Sequence, residues 1–208
     1  MSPRALRRLA ALALVPAALP AQEPATTVFA AAGAGRAIAA DALPQDYDAV
    51  LGAVGARRRV WRAVTAEGAV QVQRWFTAGD AVLVCRPVAD GCRINELDAR
   101  GVRSFASMLA RVGAEERLGR RGPFVRLAAG GGYMTRVRRP FASLASGISY
   151  GGRTARVALD VDRWWSRVDV REVTISLRDP AVRTARPFRD GATSTFVRLG
   201  VEIPLRVR

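Results

Sequence analysis

The stretch TFVRLGVEIPL at residues 195–205 carries the pattern that decides the fold. From position 197 onward, apolar side chains stand at every second position, and an arginine, a glycine and a glutamate stand between them. Because successive side chains of a strand point to opposite faces, this period of two predicts a strand with one apolar face and one polar or small face.

The same alternation recurs along the chain and predicts an all-β protein of about eight strands. The other clear segments are 69–76, 124–133 and 154–162, and the weaker ones are 27–38, 50–60, 103–113 and 142–150. One segment stays ambiguous, because 103–118 also fits an amphipathic helix. The residues that would share its inward face are Phe105, Met108, Leu109 and Val112.

The links between these strands differ in length in a regular way. Those after the second, fourth and sixth strands fall near 61–68, 114–122 and 151–153. Those at the opposite end fall near 41–49, 78–102, 134–141 and 166–193, and two of them are much longer. Short turns at one end with longer loops at the other are typical of outer-membrane barrels.

Aromatic residues cluster where the strands end, as expected of girdles at the two membrane interfaces. The predicted girdle on the long-loop side comprises Trp75, Phe76, Tyr133, Phe141, Trp164, Trp165 and Phe196. The predicted girdle on the short-turn side comprises Trp61, Phe124 and Tyr150. The alternative is that these rings form the core of a soluble β-domain, because aromatic side chains dominate such cores.

The N-terminus resembles a secretory signal peptide. Arginines at positions 4, 7 and 8 precede an uncharged, Leu- and Ala-rich run over 9–21 that is too short to span a membrane as a helix. We expect a signal peptide over 1–21 and a single β-barrel domain over 22–208. Since an exported protein meets an oxidising compartment, we also expect a disulfide between Cys85 and Cys92.

The charge composition excludes several kinds of catalytic site. The 208 residues include 33 basic residues, all of them arginine, and 18 acidic ones, giving a formal net charge of +15 with no histidine. A Ser-His-Asp triad, a Ser-Lys dyad and a His-ligated zinc are therefore impossible. We expect no enzymatic activity, cofactor or metal. Because we expect export, we expect no nucleic-acid partner for this basic chain.

With these features the chain resembles the small single-domain outer-membrane β-barrel proteins of Gram-negative bacteria. The resemblance rests on the signal peptide, the loop with Cys85 and Cys92, the Gly-rich run GPFVRLAAGGGY (122–133) and the terminal strand TFVRLGVEIPL (195–205). It implies an antiparallel up-and-down transmembrane barrel inserted by the outer-membrane assembly machinery, and we expect it to be a monomer. Family members typically finish on an aromatic residue, whereas this chain finishes on 206–208 (RVR).

A barrel of eight strands is only wide enough for side chains to fill it. We therefore expect its inward polar residues to pair as arginine–carboxylate contacts in a plugged lumen. An acid/base role for the neighbouring Asp160 and Asp162, or a conducting path, is the functional alternative. The predicted lumen residues are Gln71, Gln73, Arg111, Arg126, Arg156, Asp160, Asp162, Arg198 and Glu202.

At the rim, Arg183, Arg186 and Arg189 are candidates to bind phosphates of lipopolysaccharide, because arginine is a good bidentate phosphate partner. The leading hypothesis is a non-enzymatic outer-membrane barrel with a structural, envelope-interaction or surface-binding role. The alternatives are an exported soluble β-barrel or sandwich that binds a small apolar ligand and, third, an enzyme without histidine.

Overall fold

The fold is all-β and antiparallel. A computed structural model describes residues 26–39, 47–77, 86–89, 91–97, 104–119, 121–135, 139–176, 178–179 and 183–205. Its strands are β1 (Thr26–Ala39), β2 (Tyr47–Trp61), β3 (Val64–Thr77), β4 (Arg86–Val88), β5 (Gly91–Leu97), β6 (Ser104–Arg117), β7 (Phe124–Met134), β8 (Arg139–Gly151), β9 (Arg156–Ser176) and β10 (Arg183–Leu205). The described residues contain no helix long and apolar enough to cross a membrane.

Eight of the strands close into a ring. The order around it is β1, β2, β3, β6, β7, β8, β9 and β10, and β10 pairs back onto β1. Each ring strand therefore pairs with the ring strands before and after it in the chain, and every pairing is antiparallel. The predicted all-β class with an antiparallel ring of eight strands is confirmed.

The helical alternative for 103–118 is wrong. Residues 104–117 form β6, which pairs with β3 on one side and β7 on the other. Its apolar residues split between the two faces, because Met108 and Val112 are exposed whereas Leu109 is buried. Alternation along the strand, rather than helical spacing, describes this segment.

The long loop predicted over 166–193 is wrong. β9 continues to Ser176 and β10 starts at Arg183, and the two pair continuously from Arg183 opposite Ile175 to Glu202 opposite Arg156. Val168 and Val170 are buried in this extension. Apolar packing thus maintains the hairpin despite its arginine, aspartate and proline content.

The loop predicted over 78–102 also contains strands. β4 and β5 form a small hairpin, and β5 pairs with the extended part of β9 from Gly91 opposite Ser176 to Leu97 opposite Val170. β4, β5 and the extensions of β9 and β10 therefore make a four-stranded sheet at the long-loop end of the ring. At the opposite end the links are 62–63, 118–123 and 152–155. They are short, as predicted, but the first two begin later or end earlier than the predicted turns 61–68 and 114–122, because the strands extend further.

Candidate functional site

The two faces of the ring have opposite chemistry. Buried and exposed residues alternate along the strands, as in β8, where every second residue from Phe141 to Ala145 is buried. The inner face holds most of the buried charged side chains, and the outer face holds most of the exposed large apolar ones.

The inner face near the short turns carries a network of ion pairs centred on Arg57. Its Nε lies 3.1 Å from Glu67 Oε2, its Nη1 lies 2.5 Å from Glu115 Oε2, and its Nη2 lies 3.0 Å from Glu202 Oε1. These carboxylates come from β3, β6 and β10, so one guanidinium from β2 connects four strands across the interior. All four side chains are nearly excluded from solvent.

Two further arginines extend this network around the ring. Arg111 on β6 donates to Asp162 on β9, and its Nη1 lies 3.4 Å from Glu67 Oε1. Arg126 on β7 donates to Asp160, also on β9, and its Nη1 lies 3.3 Å from Glu202 Oε1.

Arg198 on β10 completes the connection to β9. Its Nη2 lies 3.5 Å from Asp160 Oδ2 and its Nη1 lies 3.4 Å from Asp162 Oδ2. Near the short turns, the Arg156 guanidinium stacks 3.6 Å from the Phe124 ring centroid, and its Nη1 lies 3.4 Å from Glu115 Oε1. We call the whole set the ion-pair network: Arg57, Glu67, Arg111, Glu115, Arg126, Arg156, Asp160, Asp162, Arg198 and Glu202.

The ion-pair network is charge-balanced, with five arginines and five carboxylates. A buried charge is costly without a partner, and here each one has at least one opposite charge within 4 Å. Each of the predicted acid/base candidates, Asp160 and Asp162, is in contact with two guanidiniums. Their geometry is that of structural ion pairs.

The structure places all nine predicted lumen residues on the inner face, eight of them buried and Arg156 partly buried. It adds Arg57, Glu67 and Glu115, which the sequence did not single out. Arg57 lies within the run Arg57–Arg59, where the alternation is hidden by three identical residues. Glu67 and Glu115 lie in stretches predicted to be turns, but both strands extend further.

Two predicted glutamines lie outside the network. Gln71 is fully buried, and neither of its amide atoms has a hydrogen-bond partner among the described residues. The same holds for the hydroxyl of Ser107, which lies directly opposite Gln71 on β6. Gln73 Oε1 accepts a hydrogen bond of 3.1 Å from Trp75 Nε1.

The inner face nearer the long loops is mainly apolar. The Phe141 and Trp164 rings stack with centroids 4.2 Å apart, and Phe196 meets Trp164 edge-on at 5.4 Å. Ala192 and Val170 of the extended hairpin belong to the same packed group. We call this group the aromatic cluster: Ala49, Leu51, Ala53, Ala69, Trp75, Leu109, Met134, Phe141, Trp164, Val168, Val170, Ala192 and Phe196.

The girdle predicted for the long-loop side is thus wrong for four rings. Trp75, Phe141, Trp164 and Phe196 are buried in the aromatic cluster, because each falls on the inner parity of its strand. The remaining predicted rings on that side are exposed. These are Phe76, Tyr133 and Trp165, and at the short-turn end Trp61 and Tyr150 are exposed as well, whereas Phe124 is partly buried.

The outer face carries a continuous apolar surface across β2, β1, β10 and β9. The register aligns Val50, Ala34, Val197 and Val161 in one row across these strands. The same register aligns further rows towards the short turns. They are Gly52, Ala32, Leu199 and Leu159, and then Val54, Ala30, Val201 and Val157.

Towards the long loops, the next outward row is polar on all four strands. It consists of Asp48, Arg36, Thr195 and Arg163. The change from apolar to polar therefore occurs at the same level on four neighbouring strands. We call the apolar rows together with the exposed apolar residues of β3, β6, β7 and β8 the outer belt.

The predicted rim arginines lie on the extension of β10 and are exposed. Arg189 Nε lies 3.5 Å from Asp169 Oδ1, and Arg186 is directly opposite Glu172. Asp169 also accepts from Arg139 at 2.6 Å. Neighbouring carboxylates therefore reduce the positive field of this rim.

Of the two cysteines in the predicted disulfide, Cys92 lies on β5 and Cys85 is outside the described residues. The bond therefore stays a prediction. Within the part of the chain that the structure describes, no group of three or more metal-ligating side chains is positioned to hold an ion.

In the comparisons with known proteins, no family model and no curated sequence matches this chain.

Proposed function

We propose that this chain is a non-enzymatic β-barrel of the bacterial outer membrane, with a structural, envelope-interaction or surface-binding role. The proposal rests on one observation: the two faces of the ring are reversed relative to a soluble protein, in which apolar side chains are buried and charged ones are exposed. The charged residues of the ion-pair network face inward, whereas valine, leucine and isoleucine dominate the outer belt. Soluble monomers rarely expose apolar patches larger than a few hundred Å².

A bilayer accounts for both faces of the ring. In hydrocarbon every backbone polar group must be satisfied internally, which a closed antiparallel ring achieves because it has no free edge. The exposed rings of Phe76, Tyr133 and Trp165 at one end, and of Trp61 and Tyr150 at the other, fit the two interfaces. Lipid is accordingly the partner of the outer belt.

The interior supports a plugged barrel rather than a pore. The ion-pair network spans from β2 to β10 near the short turns, and the aromatic cluster fills the section nearer the long loops. An eight-stranded barrel has an interior that side chains fill. The proposed role is therefore performed by the surfaces of the barrel and its extended hairpin.

The soluble alternative, an exported protein that binds a small apolar ligand, would need an apolar interior cavity. The inner face near the short turns is charged, and the section nearer the long loops is occupied by packed rings. Both observations favour the membrane proposal over this alternative.

The test is cell fractionation followed by gel electrophoresis of heated and unheated samples. We expect the protein in the outer-membrane fraction, with a mobility that changes on heating because a closed barrel resists detergent unfolding. Mass spectrometry of the isolated protein should show a mature chain that starts at residue 22. A periplasmic protein whose mobility does not depend on heating would contradict the proposal.

A further inference from the structure

We propose that the outer face of β9 and β10, at the long-loop edge of the outer belt, binds the phosphate of a lipid headgroup. The inference rests on the proposed function, because only a membrane brings lipid phosphate to this level. The residues are Arg163, Trp165 and Arg167 on β9, with Thr195 and Thr193 opposite on β10. We call this set the phosphate clamp.

The position of the clamp follows from the register. Val161 and Val197 form the last apolar row, and Arg163 and Thr195 form the next row towards the long loops. On a strand tilted as in known barrels, the headgroup layer begins where the apolar residues end. Arg163 is therefore at the level of the phosphates, and its apolar stem packs against the adjoining hydrocarbon.

The two arginines have unused donors. Both are exposed, and neither guanidinium makes a hydrogen bond or ion pair with another described residue. Among the described residues, the guanidinium of Arg163 packs against the Trp165 ring, whose centroid lies 5.5 Å from the guanidinium carbon. This contact holds the guanidinium at the edge of the belt, where its planar fork can bind phosphate oxygens.

The spacing suits one anion between the two side chains. Arg163 and Arg167 are on the same face of β9, about 13 Å apart at their Cα atoms. Each arginine side chain extends several ångströms, so both guanidiniums can reach a phosphate placed over Trp165. Directly opposite Arg163 and Trp165 are the hydroxyls of Thr195 and Thr193, and directly opposite Arg167 is Gly191, where an added Cβ would meet no atom within 4 Å.

The nearest acidic residues do not neutralise the clamp. Asp169, two residues beyond Arg167, is in contact with Arg139 and Arg189. Asp48 lies in the same row but on β2, opposite Arg36 and three strands away from Arg163. The two clamp arginines thus have no carboxylate partner among the described residues, whereas in the rim Glu172 lies directly opposite Arg186.

The experiment measures lipid retained on the folded, detergent-solubilised full-length protein by native mass spectrometry. The probes are diphosphorylated lipid A, the same lipid without phosphates, and inorganic phosphate as a competitor. The test variant is Arg163→Gln/Arg167→Gln. The matched control, Arg183→Gln/Arg186→Gln, removes the same charge from the rim.

We expect the wild-type protein to bind diphosphorylated lipid A at least tenfold more tightly than the dephosphorylated lipid. The test variant should lose this preference, and the control should keep it within about threefold. Equal loss in both variants, or no preference in the wild type, would overturn the clamp. Displacement by millimolar inorganic phosphate would show that the site takes free phosphate and would overturn the headgroup assignment.

Heat-dependent gel mobility of every variant separates this result from the proposed function. A wild-type protein that never inserts into lipid vesicles contradicts the membrane proposal itself. A protein that inserts but does not discriminate between the two lipids contradicts only the clamp. If the glutamine variant does not fold, Arg163→Lys/Arg167→Lys replaces it, and weaker retention than in the wild type is required because lysine lacks the bidentate fork.

Discussion

The two sections of the interior show how one backbone pattern accommodates two kinds of packing. Near the short turns, Arg57 and Arg126 contact carboxylates from several strands. Nearer the long loops, Phe141, Trp164 and Phe196 pack ring against ring. Both sets of side chains come from the inner parity of the same ring strands.

The two sections differ in how specifically their side chains must be placed relative to one another. A buried charge needs a specific partner at a specific distance, so the ion-pair network fixes the mutual positions of the strands that it connects. Apolar packing has no direction and tolerates substitution when the volume is conserved. We therefore expect the two sections to respond differently to truncation.

Arg57→Ala should produce the largest loss of stability. It would leave Glu67, Glu115 and Glu202 buried without the guanidinium that all three contact. Breaking a buried ion pair by removing one partner costs about 3–5 kcal/mol. Unfolding in urea, followed in lipid vesicles by the gel-mobility shift, measures the loss. Arg58→Ala is the control, because Arg58 is exposed, and it should stay within about 0.5 kcal/mol of the wild type.

Trp164→Ala should have the next largest effect. Trp164 stacks on Phe141 and meets Phe196 edge-on, and truncation of a buried aromatic side chain costs about 3 kcal/mol or more. The same unfolding assay applies. Trp164→Phe should recover most of this loss, whereas Arg57→Lys should recover much less. Equal recovery by the two conservative variants would contradict the difference between the sections.

Gly147→Ala should cause an intermediate loss of stability, because it disturbs the ion-pair network. A Cβ at Gly147 would overlap the Asp160 carboxylate, which Arg126 contacts. Overpacking of this kind costs about 1–3 kcal/mol. Gly52→Ala is the matched control, since a Cβ there meets no atom within 4 Å. If both variants unfold at the same urea concentration, the carboxylate moves freely and the network is less rigid than we describe.

Gln71→Leu should have the smallest effect, within about 1 kcal/mol of the wild type. The amide of Gln71 is buried without a partner among the described residues, and replacing such a group with an apolar one of similar shape is nearly neutral or stabilising. Gln73→Leu is the comparison, because it removes the hydrogen bond from Trp75. The urea midpoint of Gln71→Leu should be the higher of the two.

The ring was predictable from the sequence, because alternation reports the two faces of a strand directly. Val197, Leu199 and Val201 are all exposed and Arg198 and Glu202 are buried, in agreement with their parity. The extended hairpin was not predictable in this way. Its buried residues include Val168, Val170 and Val173, whose spacing changes from two to three and so breaks the alternation.

The interior could be predicted only in part, because parity assigns a face but not a partner. Asp160 and Arg198 were assigned correctly to the inner face, but their pairing depends on the register between β9 and β10. The aromatic residues expose the same difficulty. Trp164 and Trp165 are adjacent and chemically identical, and yet one is 2% exposed and the other 40% exposed. An aromatic residue at a strand end can therefore be assigned to a girdle only when its parity places it on the outer face.

In the membrane we expect the outer belt to contact lipid while the ion-pair network faces inward. Nitroxide labels at Leu199, Val70 and Arg58, each in a Cys85→Ser/Cys92→Ser background, test it through collision with dissolved oxygen and with a water-soluble nickel reagent in lipid vesicles. We predict that Leu199 and Val70 are accessible to oxygen and protected from nickel, and that Arg58 near the short turns is accessible to nickel. Free access of nickel to Leu199 and Val70 in the folded protein would show that the outer belt faces water and not lipid.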